Sequence, residues 1–225
     1  NKGGEGSVIF EHFGDATAEQ VQACRNRGQK VILTVGGAGN GYAWDNREKS
    51  TRMVDSFRSI AEQLGGVDGI DFNNFEGTIV HDGNLEQVAS EMVWIAQQLR
   101  DAYGQGFAVT SPPQPNDPVQ RRLMRALVDA GVLTFAGPQY YDWSGFNEPG
   151  YISKSIDTWS DLLGEQQVAV GLTADYSNGP SMDDCIREWN VIKDRHPNVR
   201  GMFCWSAQTN LKGGNGWGST MRELL

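Results

Sequence analysis

The chain has 225 residues, of which 39% are hydrophobic and 21% are charged, values that are ordinary for a globular protein. This length suits one domain, and we expect a single domain over residues 1–225, because α/β barrels commonly reach this size without splitting. The net charge of −9 argues against a nucleic-acid partner, since nucleic-acid binding needs a basic face. No apolar run approaches the roughly 20 residues that span a bilayer, so we expect no membrane insertion.

The start of the chain and its cysteines give two further expectations. The chain begins at Asn1 rather than Met and shows no signal-peptide pattern, so we expect a processed product or a part of a longer protein. The three cysteines, Cys24, Cys185 and Cys204, have no CxxC or metal spacing and do not form a disulfide framework. Buried thiols are the simplest interpretation of Cys24 and Cys204, and a single Cys185–Cys204 bridge is left open.

Short apolar runs alternate with stretches of helical periodicity along the whole chain. Strands are predicted over residues 7–13, 30–35, 67–73, 107–110, 133–136, 168–172 and 201–205. Helices are predicted over residues 18–26, 50–64, 84–103, 117–129, 153–163 and 181–196, with a short terminal helix from Ser219. Repeated strand–helix units imply parallel strands joined by right-handed crossovers.

The number of units favours an α/β fold of the TIM type, a closed (β/α)8 barrel, over an open sheet. Seven units are one short of eight, so we expect the first βα unit to be missing from this chain or replaced. A doubly wound sheet is the structural alternative. No linker, low-complexity tract or charge block marks a second domain.

Polar and aromatic residues follow the predicted strands, where the site of a parallel barrel lies. They are Glu11, His12, Gly36, Gly37, Asp71, Asn73, Glu76, Ser111, Gln114, Gln139, Tyr140, Tyr141, Asp142, Trp143, Thr173, Asp175, Tyr176, Trp205, Ser206, Gln208 and Asn210. Sugar rings stack on Trp and Tyr, while Asn, Gln and Asp hydrogen-bond sugar hydroxyls. These residues therefore predict a carbohydrate ligand. Trp94, Trp159 and Trp189, on predicted helices, are interpreted as core residues whose polar tips are satisfied locally.

Other chemistries lack their motifs. The glycine loop at residues 36–39 has neither the GxGxxG spacing of a dinucleotide site nor the lysine of a P-loop. His12, His81 and His196 stand too far apart in sequence to form a metal signature, and no GxSxG nucleophile elbow is present. We therefore predict neither a cofactor nor a metal.

Five segments resemble the strands of glycoside hydrolase family 18, the chitinases and endo-N-acetylglucosaminidases. Asp68-Gly69-Ile70-Asp71-Phe72, followed by an acid, resembles the family's DGxDxDxE strand. In the family's order, residues 30–37 are similar to KVLLSIGG, 138–142 to QxYN/YD, 171–174 to GLPA, and 201–206 to GxMxWS. The resemblance covers nearly the whole chain, and only the family's first strand has no counterpart.

The resemblance implies substrate-assisted, retaining hydrolysis, in which a Glu protonates the glycosidic oxygen and the sugar's own 2-acetamido group attacks the anomeric carbon. Carried over by position, Asp71 is the supporting acid and Tyr141 holds the acetamido oxygen. Trp205 forms the floor under the reacting sugar, with Gln139 and Asp142 as polar contacts beside it. Asn73 and Gly37 complete the predicted substrate contacts.

The sequence departs from the family at the catalytic acid. Counting from Asp68 places Phe75 at the position of the catalytic Glu. Glu76 takes that role only if the strand contains an extra residue, such as a β-bulge between Asp71 and Phe75. Asn74 then replaces the Asp nearest the acetamido group, and an amide cannot stabilise a positive intermediate by charge.

Three functional hypotheses follow. The first is hydrolysis of β-1,4-linked N-acetylglucosamine (GlcNAc) glycans such as chitin, with Glu76, Asp71, Asn74 and Tyr141 as the catalytic residues. The second is a lectin that binds the same glycans without cleaving them, which needs only Tyr141, Trp205 and the other rings. The third is a storage or structural protein without sugar binding. The resemblance also implies an extracellular location.

Overall fold

A computed structural model of the protein describes residues 5–10, 17–73, 79–177, 179–214 and 216–225. The chain forms two compact units. The first unit comprises Asn1–Ser111 and Arg122–Thr134, and the second comprises Pro112–Arg121 and Phe135–Leu225. Helix α4 (Pro118–Asp129) contributes residues to both. The single domain expected from the sequence stays a prediction.

The first unit holds three parallel strands and three complete helices. The strands are β1 (Ile32–Gly36), β2 (Gly69–Asn73) and β3 (Ala108–Ser111), with β2 between the other two. The helices are α1 (Ala18–Asn26), α2 (Arg47–Gln63) and α3 (Leu85–Tyr103). Thr17 and Gln20 form a capping box that begins α1, and the Asn46 side chain accepts a hydrogen bond from the Lys49 amide to begin α2.

Strand β2 has two different faces. Ile70 and Phe72 are fully buried, and the Phe72 ring packs edge-on against Trp44 with the ring centroids 6.4 Å apart. Asp71 and Asn73 point to the opposite face, because side chains alternate along a strand, and both are half-buried. The apolar face therefore anchors the strand in the core while the other face presents polar groups.

The second unit holds β4 (Phe135–Ala136), β5 (Val170–Thr173) and β6 (Met202–Trp205), and β5 pairs with β6 in parallel. Its complete helices are α5 (Tyr151–Leu163), α6 (Met182–Arg195), α7 (Ala207–Lys212) and α8 (Gly216–Leu224), with a short 3₁₀ turn at Glu165–Gln167. Isolated bridges join Ala136 to Val168 and Gln139 to Gly171, both in parallel.

Two interactions fix the second unit. Glu188 on α6 is buried, and its carboxylate accepts hydrogen bonds from the Gly150 and Ser153 amides at the start of α5. These bonds satisfy amides that have no partner within the helix. The Phe203 ring fits against Gly137 and Gly171, where an added Cβ would lie only 2.5 Å from a ring atom. Both glycines are therefore required by this packing.

The predicted strand–helix alternation is confirmed from β1 onward, but one predicted strand is wrong and one helix was missed. Residues 7–10 do not form a strand, and the Val8 amide instead donates to the Ser56 hydroxyl on α2. Residues 11–13 of that predicted strand, including Glu11 and His12, lie outside the described residues. Helix α7 was not predicted: the Ser206 side chain accepts a hydrogen bond from the Thr209 amide and begins this helix directly after β6. No helix in the described ranges has the length and hydropathy of a membrane span.

The Cys185–Cys204 bridge left open by the sequence is absent, because both cysteines are free, as is Cys24. Cys185 is buried on α6, and its thiol lies 3.8 Å from the Pro180 carbonyl oxygen. Desolvation raises the pKa of the Cys185 thiol to about 12. A thiol with this pKa carries almost no reactive thiolate near neutral pH. The expectation that Cys24 and Cys204 are buried thiols is wrong, because both are only half-buried.

We predict that Cys185 resists alkylation in the folded protein. Iodoacetamide at about pH 8 should label Cys24 first and Cys185 last, because the Cys185 thiol stays protonated and enclosed. Peptide mass spectrometry over a time course measures the three rates, and urea-unfolded protein, in which all three should react alike, is the control. Labelling of Cys185 at the Cys24 rate would contradict its burial.

Candidate functional site

Asp71 lies in a row of polar side chains that crosses the three strands of the first unit. The strand register aligns Thr34 on β1 and Thr110 on β3 with Asp71 on β2. Thr110 Oγ1 donates to Asp71 Oδ1 at 2.6 Å, and Thr34 Oγ1 donates to Asp71 Oδ2 at 3.1 Å. Each carboxylate oxygen therefore has its own hydroxyl donor, and the carboxyl group is held from both sides.

The environment of Asp71 favours its neutral form. Desolvation raises the pKa of the Asp71 carboxyl, and the hydrogen bonds from Thr110 and Thr34 offset only part of this effect. A carboxyl group with a raised pKa can hold or share a proton closer to neutral pH than an exposed aspartate. Asp71 is therefore chemically suited to a supporting role beside a second acid.

The end of β1 and the end of β2 are tied together at Gly37 and Asn73. The Gly37 amide donates to the Asn73 carbonyl oxygen at 2.6 Å. Gly37 has φ 99°, a backbone conformation that favours glycine, and a Cβ added there would meet no atom of the described residues within 4 Å. As far as the described residues go, the space beside Gly37 is thus open to a ligand.

The structure limits where an extra residue before Glu76 can lie. Residues 32–36 pair one-to-one with residues 69–73, so β2 contains no extra residue up to Asn73. Asn74, Phe75 and Glu76 lie outside the described residues. An extra residue that brings Glu76 into register would have to follow Asn73, and the β-bulge stays a prediction.

Asp68, the first acid of the motif, has a structural role that the sequence did not indicate. Its carboxylate accepts hydrogen bonds from Arg25 Nε at 3.1 Å and Arg25 Nη2 at 3.3 Å, and another from the Val31 amide at 2.9 Å. These contacts join α1, the segment before β1 and the start of β2. Asp68 thereby positions β2 without belonging to the polar row around Asp71.

The second unit brings together two of the predicted site residues, Tyr141 and Trp205. Their rings lie nearly parallel, 13° apart, with centroids separated by 6.4 Å. Tyr141 is buried, whereas Trp205 at the end of β6 is 56% exposed. The Trp205 carbonyl oxygen accepts hydrogen bonds from Thr173 Oγ1 at 2.6 Å and from the Ala174 amide at 3.0 Å. Trp205 is thus held by its backbone while its indole faces solvent.

Gln139 and Asp142 lie on either side of Tyr141 in sequence. The Gln139 side-chain amide donates to the Pro112 carbonyl oxygen, and its backbone amide donates to the Pro113 carbonyl oxygen at 3.0 Å. Asp142 is exposed and has φ 65°, which Asp tolerates better than most residues. Desolvation, followed by the charge of Asp175, raises the pKa of the Asp142 carboxyl.

The predicted residues therefore form two groups. Asp71, Asn73 and Gly37 belong to the first unit, and Gln139, Tyr141, Asp142 and Trp205 belong to the second. The sequence analysis missed Thr34 and Thr110, the two hydroxyl donors to Asp71. Aligning the predicted strands side by side is the signal that would have found them.

Comparison with known proteins identifies the fold. A Streptomyces coelicolor protein assigned as chitinase A has a TM-score of 0.81 at 20% identity, over 96% of this chain and 83% of that one. A family GH18 chitinase from Chromobacterium violaceum has a TM-score of 0.79 at 20% identity, over 97% of this chain and 72% of that one. The fold is therefore of the α/β TIM-barrel type predicted from the sequence.

The chain is also similar in sequence to known proteins. It is 27% identical over 177 residues to an acidic endochitinase of Arabidopsis thaliana, and the match covers 72% of this chain and 54% of that protein. No protein-family model matches the chain. Together the sequence and structural matches show that the chain is similar to chitinases, including a chitinase of glycoside hydrolase family 18. It spans about half the length of the Arabidopsis relative.

We predict that Asp71→Asn stabilises the protein at neutral pH. The folded-state pKa of Asp71 is raised, so the stability it contributes is complete below its unfolded pKa and is lost as pH rises through the folded pKa. A neutral amide avoids that loss. The urea midpoint of the variant should exceed that of the wild type at about pH 7, and the gain should shrink at about pH 4.

Asp82→Asn, at an exposed carboxylate paired with Arg122, is the control for this experiment. It should not reproduce a gain that appears with rising pH. A variant Asp71→Asn that is less stable than the wild type at both pH values would contradict the raised pKa.

We also predict that Asp68→Ala destabilises the first unit. The substitution leaves the half-buried Arg25 guanidinium and the Val31 amide without their acceptor, which should lower the free energy of unfolding by about 1–3 kcal/mol. Urea denaturation measures the change. Asp82→Ala, which breaks only a surface ion pair, should cost at most about 1 kcal/mol, and equal losses in both variants would refute the positioning role of Asp68.

Proposed function

We propose that the chain is a glycosidase domain that hydrolyses β-1,4-linked GlcNAc glycans, chitin or a related polymer, by the substrate-assisted retaining route. The observation that carries this proposal is the Asp71 carboxyl, held between Thr34 and Thr110 with a raised pKa on the strand that resembles the family motif. The chitinase names of the relatives support it. The chain spans about half the length of the Arabidopsis relative, so hydrolysis by this chain is proposed separately from the activity of that protein.

In the proposed reaction, Glu76 donates its proton to the glycosidic oxygen as the acetamido oxygen of the same sugar attacks the anomeric carbon. The bond to the leaving sugar breaks and an oxazolinium forms. Asp71, with Asn74, orients the acetamido group, while Tyr141 holds its oxygen and Trp205 supports the ring. Water then opens the oxazolinium with retention of configuration and returns a proton to Glu76.

The substrate contacts of this proposal are divided between the two units. Asn73 and Gly37 contribute from the first unit, where the amide side chain and the open space beside glycine suit a sugar hydroxyl. Gln139 and Asp142 contribute from the second, beside the Tyr141–Trp205 stack. Acting on a polymer of this kind also suits an extracellular location, which we include in the proposal.

A lectin that binds the same glycans without cleaving them is the second candidate. The exposed Trp205 indole, stacked on the buried Tyr141 ring, favours it, because it provides an aromatic surface for a sugar and requires no contribution from Glu76. A storage or structural protein without sugar binding is the third candidate. The presence of both Tyr141 and Trp205 at the positions that the family resemblance assigns to sugar contacts argues against it.

The decisive experiment compares hydrolysis by the wild type, Glu76→Gln and Asp71→Asn. Release of fluorophore from an N-acetylchitobiose conjugate should fall by about 100-fold or more in Glu76→Gln, as expected when a general acid is removed. Asp71→Asn should also lose activity although it is expected to fold more stably, which separates a chemical effect from unfolding.

The control is Glu86→Gln, at an exposed position in the first turn of α3. It should keep the wild-type rate. Background hydrolysis by the wild type and by Glu76→Gln alike would reject the glycosidase, and binding to chitin beads that survives Glu76→Gln but falls in Trp205→Ala would then establish the lectin.

A further inference from the structure

Strand β3 holds the end of β2 with two successive hydroxyl groups. Thr110 Oγ1 donates to the Asp71 carboxylate on the polar face of β2. Ser111, the last residue of β3, donates its hydroxyl to the Phe72 carbonyl oxygen at 2.9 Å. Because side chains alternate along a strand, Ser111 lies on the opposite face from Thr110. The first hydroxyl therefore bonds a side chain of the site, and the second bonds the backbone.

The Ser111 hydroxyl replaces a backbone amide that the sheet lacks. In a parallel pair, the amides of one strand that donate to a given neighbour recur at every second residue. The Ala108 amide donates to the Asp68 carbonyl oxygen at 2.9 Å. Four residues further along both strands, the same register matches the Phe72 carbonyl oxygen to the peptide nitrogen of residue 112. This residue is proline, whose nitrogen carries no hydrogen, so Ser111 supplies the missing donor.

The surroundings of the Ser111 hydroxyl are closed to solvent. Ser111 is 1% exposed and Phe72 is fully buried. A buried carbonyl oxygen without a donor is unfavourable, so removal of the hydroxyl should shift the end of β2 until the oxygen finds another partner. Ser111 therefore determines the backbone path of β2 although its side chain lies away from the polar face.

The bonded carbonyl group lies between two residues of the candidate site. Phe72 separates Asp71 from Asn73 in the sequence, and the Asn73 carbonyl oxygen accepts a hydrogen bond from the Gly37 amide at 2.6 Å. The last two carbonyl groups of β2 are thus bonded to opposite neighbours, one to β3 and the other to the segment after β1. Together these two bonds fix how Asp71 and Asn73 are placed relative to each other.

We propose that Ser111 is a positioning residue of the glycosidase, whose hydroxyl replaces the amide that Pro112 lacks and so holds Asp71 and Asn73 in their working geometry. This inference rests on the proposed function, because it concerns the placement of groups that act in that reaction. Ser111 contacts none of the reacting atoms and acts through the Phe72 peptide group. Its contribution is to the geometry of the transition state rather than to substrate affinity.

The first test is Ser111→Ala, which leaves the Phe72 carbonyl oxygen without its donor. In steady-state hydrolysis of an N-acetylchitobiose fluorophore conjugate, kcat should fall by about tenfold or more, since a displacement of about 1 Å can cost about 100-fold. KM should change by less than about twofold, because the proposed substrate contacts are spread over residues that Ser111 does not touch. The rates are measured where urea denaturation shows each protein to be folded, so a loss of stability alone does not lower kcat.

The second test restores a donor at the same place in the ladder. Pro112→Ala, added to Ser111→Ala, puts a hydrogen on the peptide nitrogen that the register matches to the Phe72 carbonyl oxygen. The double variant should therefore have a kcat within about threefold of the Pro112→Ala single variant, a strongly non-additive result. Loss of packing cannot produce this recovery, because the double variant carries the smaller side chain at both positions.

Ser160→Ala is the matched control. Ser160 on α5 is also buried, but its hydroxyl has no hydrogen-bond partner among the residues that the structure describes. The substitution removes the same atom as Ser111→Ala without taking a donor from any carbonyl group. Its kcat and KM should equal those of the wild type.

The outcomes separate this inference from the function on which it rests. If the wild type hydrolyses the conjugate and Ser111→Ala keeps its kcat, the positioning role is refuted and the proposed function stands. The role is also refuted if Ser111→Ala loses activity that Pro112→Ala does not restore. If Ser111→Ala does not fold, an active double variant supports the role and an inactive one refutes it. If the wild type does not hydrolyse the conjugate, both the function and the positioning role are rejected.

Discussion

The site of the first unit depends on enclosing one carboxyl group in the middle of a parallel sheet. Asp71 occupies the central strand, and its two oxygens are bonded by hydroxyls from the strands on either side. This arrangement needs all three strands in one register, because a shift by a single residue would turn Thr34 or Thr110 to the other face. The Arg25–Asp68 contact and the packing of the buried Phe72 hold β2 in that register. The same strand register is thus required for the packing of β2 and for the hydrogen bonds to Asp71.

Holding the Asp71 carboxyl in this position lowers the stability of the folded protein. Burial disfavours the charged form of Asp71, and an apolar residue at this position would be easier to accommodate in a half-buried strand. A carboxyl group whose charged form is disfavoured, kept beside the glycine loop at residues 36–39, is typical of functional sites, where some stability is given up for chemistry. The second unit differs, because its exposed rings are carried by anchored segments. The Trp205 carbonyl oxygen is hydrogen-bonded by Thr173, and the loop of Trp143 is held by the packing of Phe146 on Tyr140.

Sequence reasoning succeeded where the determining signal is local and failed where it is not. Helix α1 was predicted at its exact bounds because Thr17 and Gln20 form a capping box within four residues. The apolar run at residues 7–10 looks the same whether or not a neighbouring strand exists, and here none of the described strands pairs with it. Helix α7 has six residues, too few for a periodic pattern. Asp71 was found from its motif, but its partners Thr34 and Thr110 lie 37 and 39 residues away and depend on the strand register.

The close packing at Gly179 restricts how the second unit can diverge among related proteins. Even a methyl group there would overlap Thr173, whose own hydroxyl bonds the Trp205 carbonyl oxygen. A replacement at Gly179 would therefore disturb the backbone that carries Trp205. The positions of Trp143 and Tyr176, whose rings are exposed, can hold other residues at little cost in packing, whereas that of Gly179 cannot.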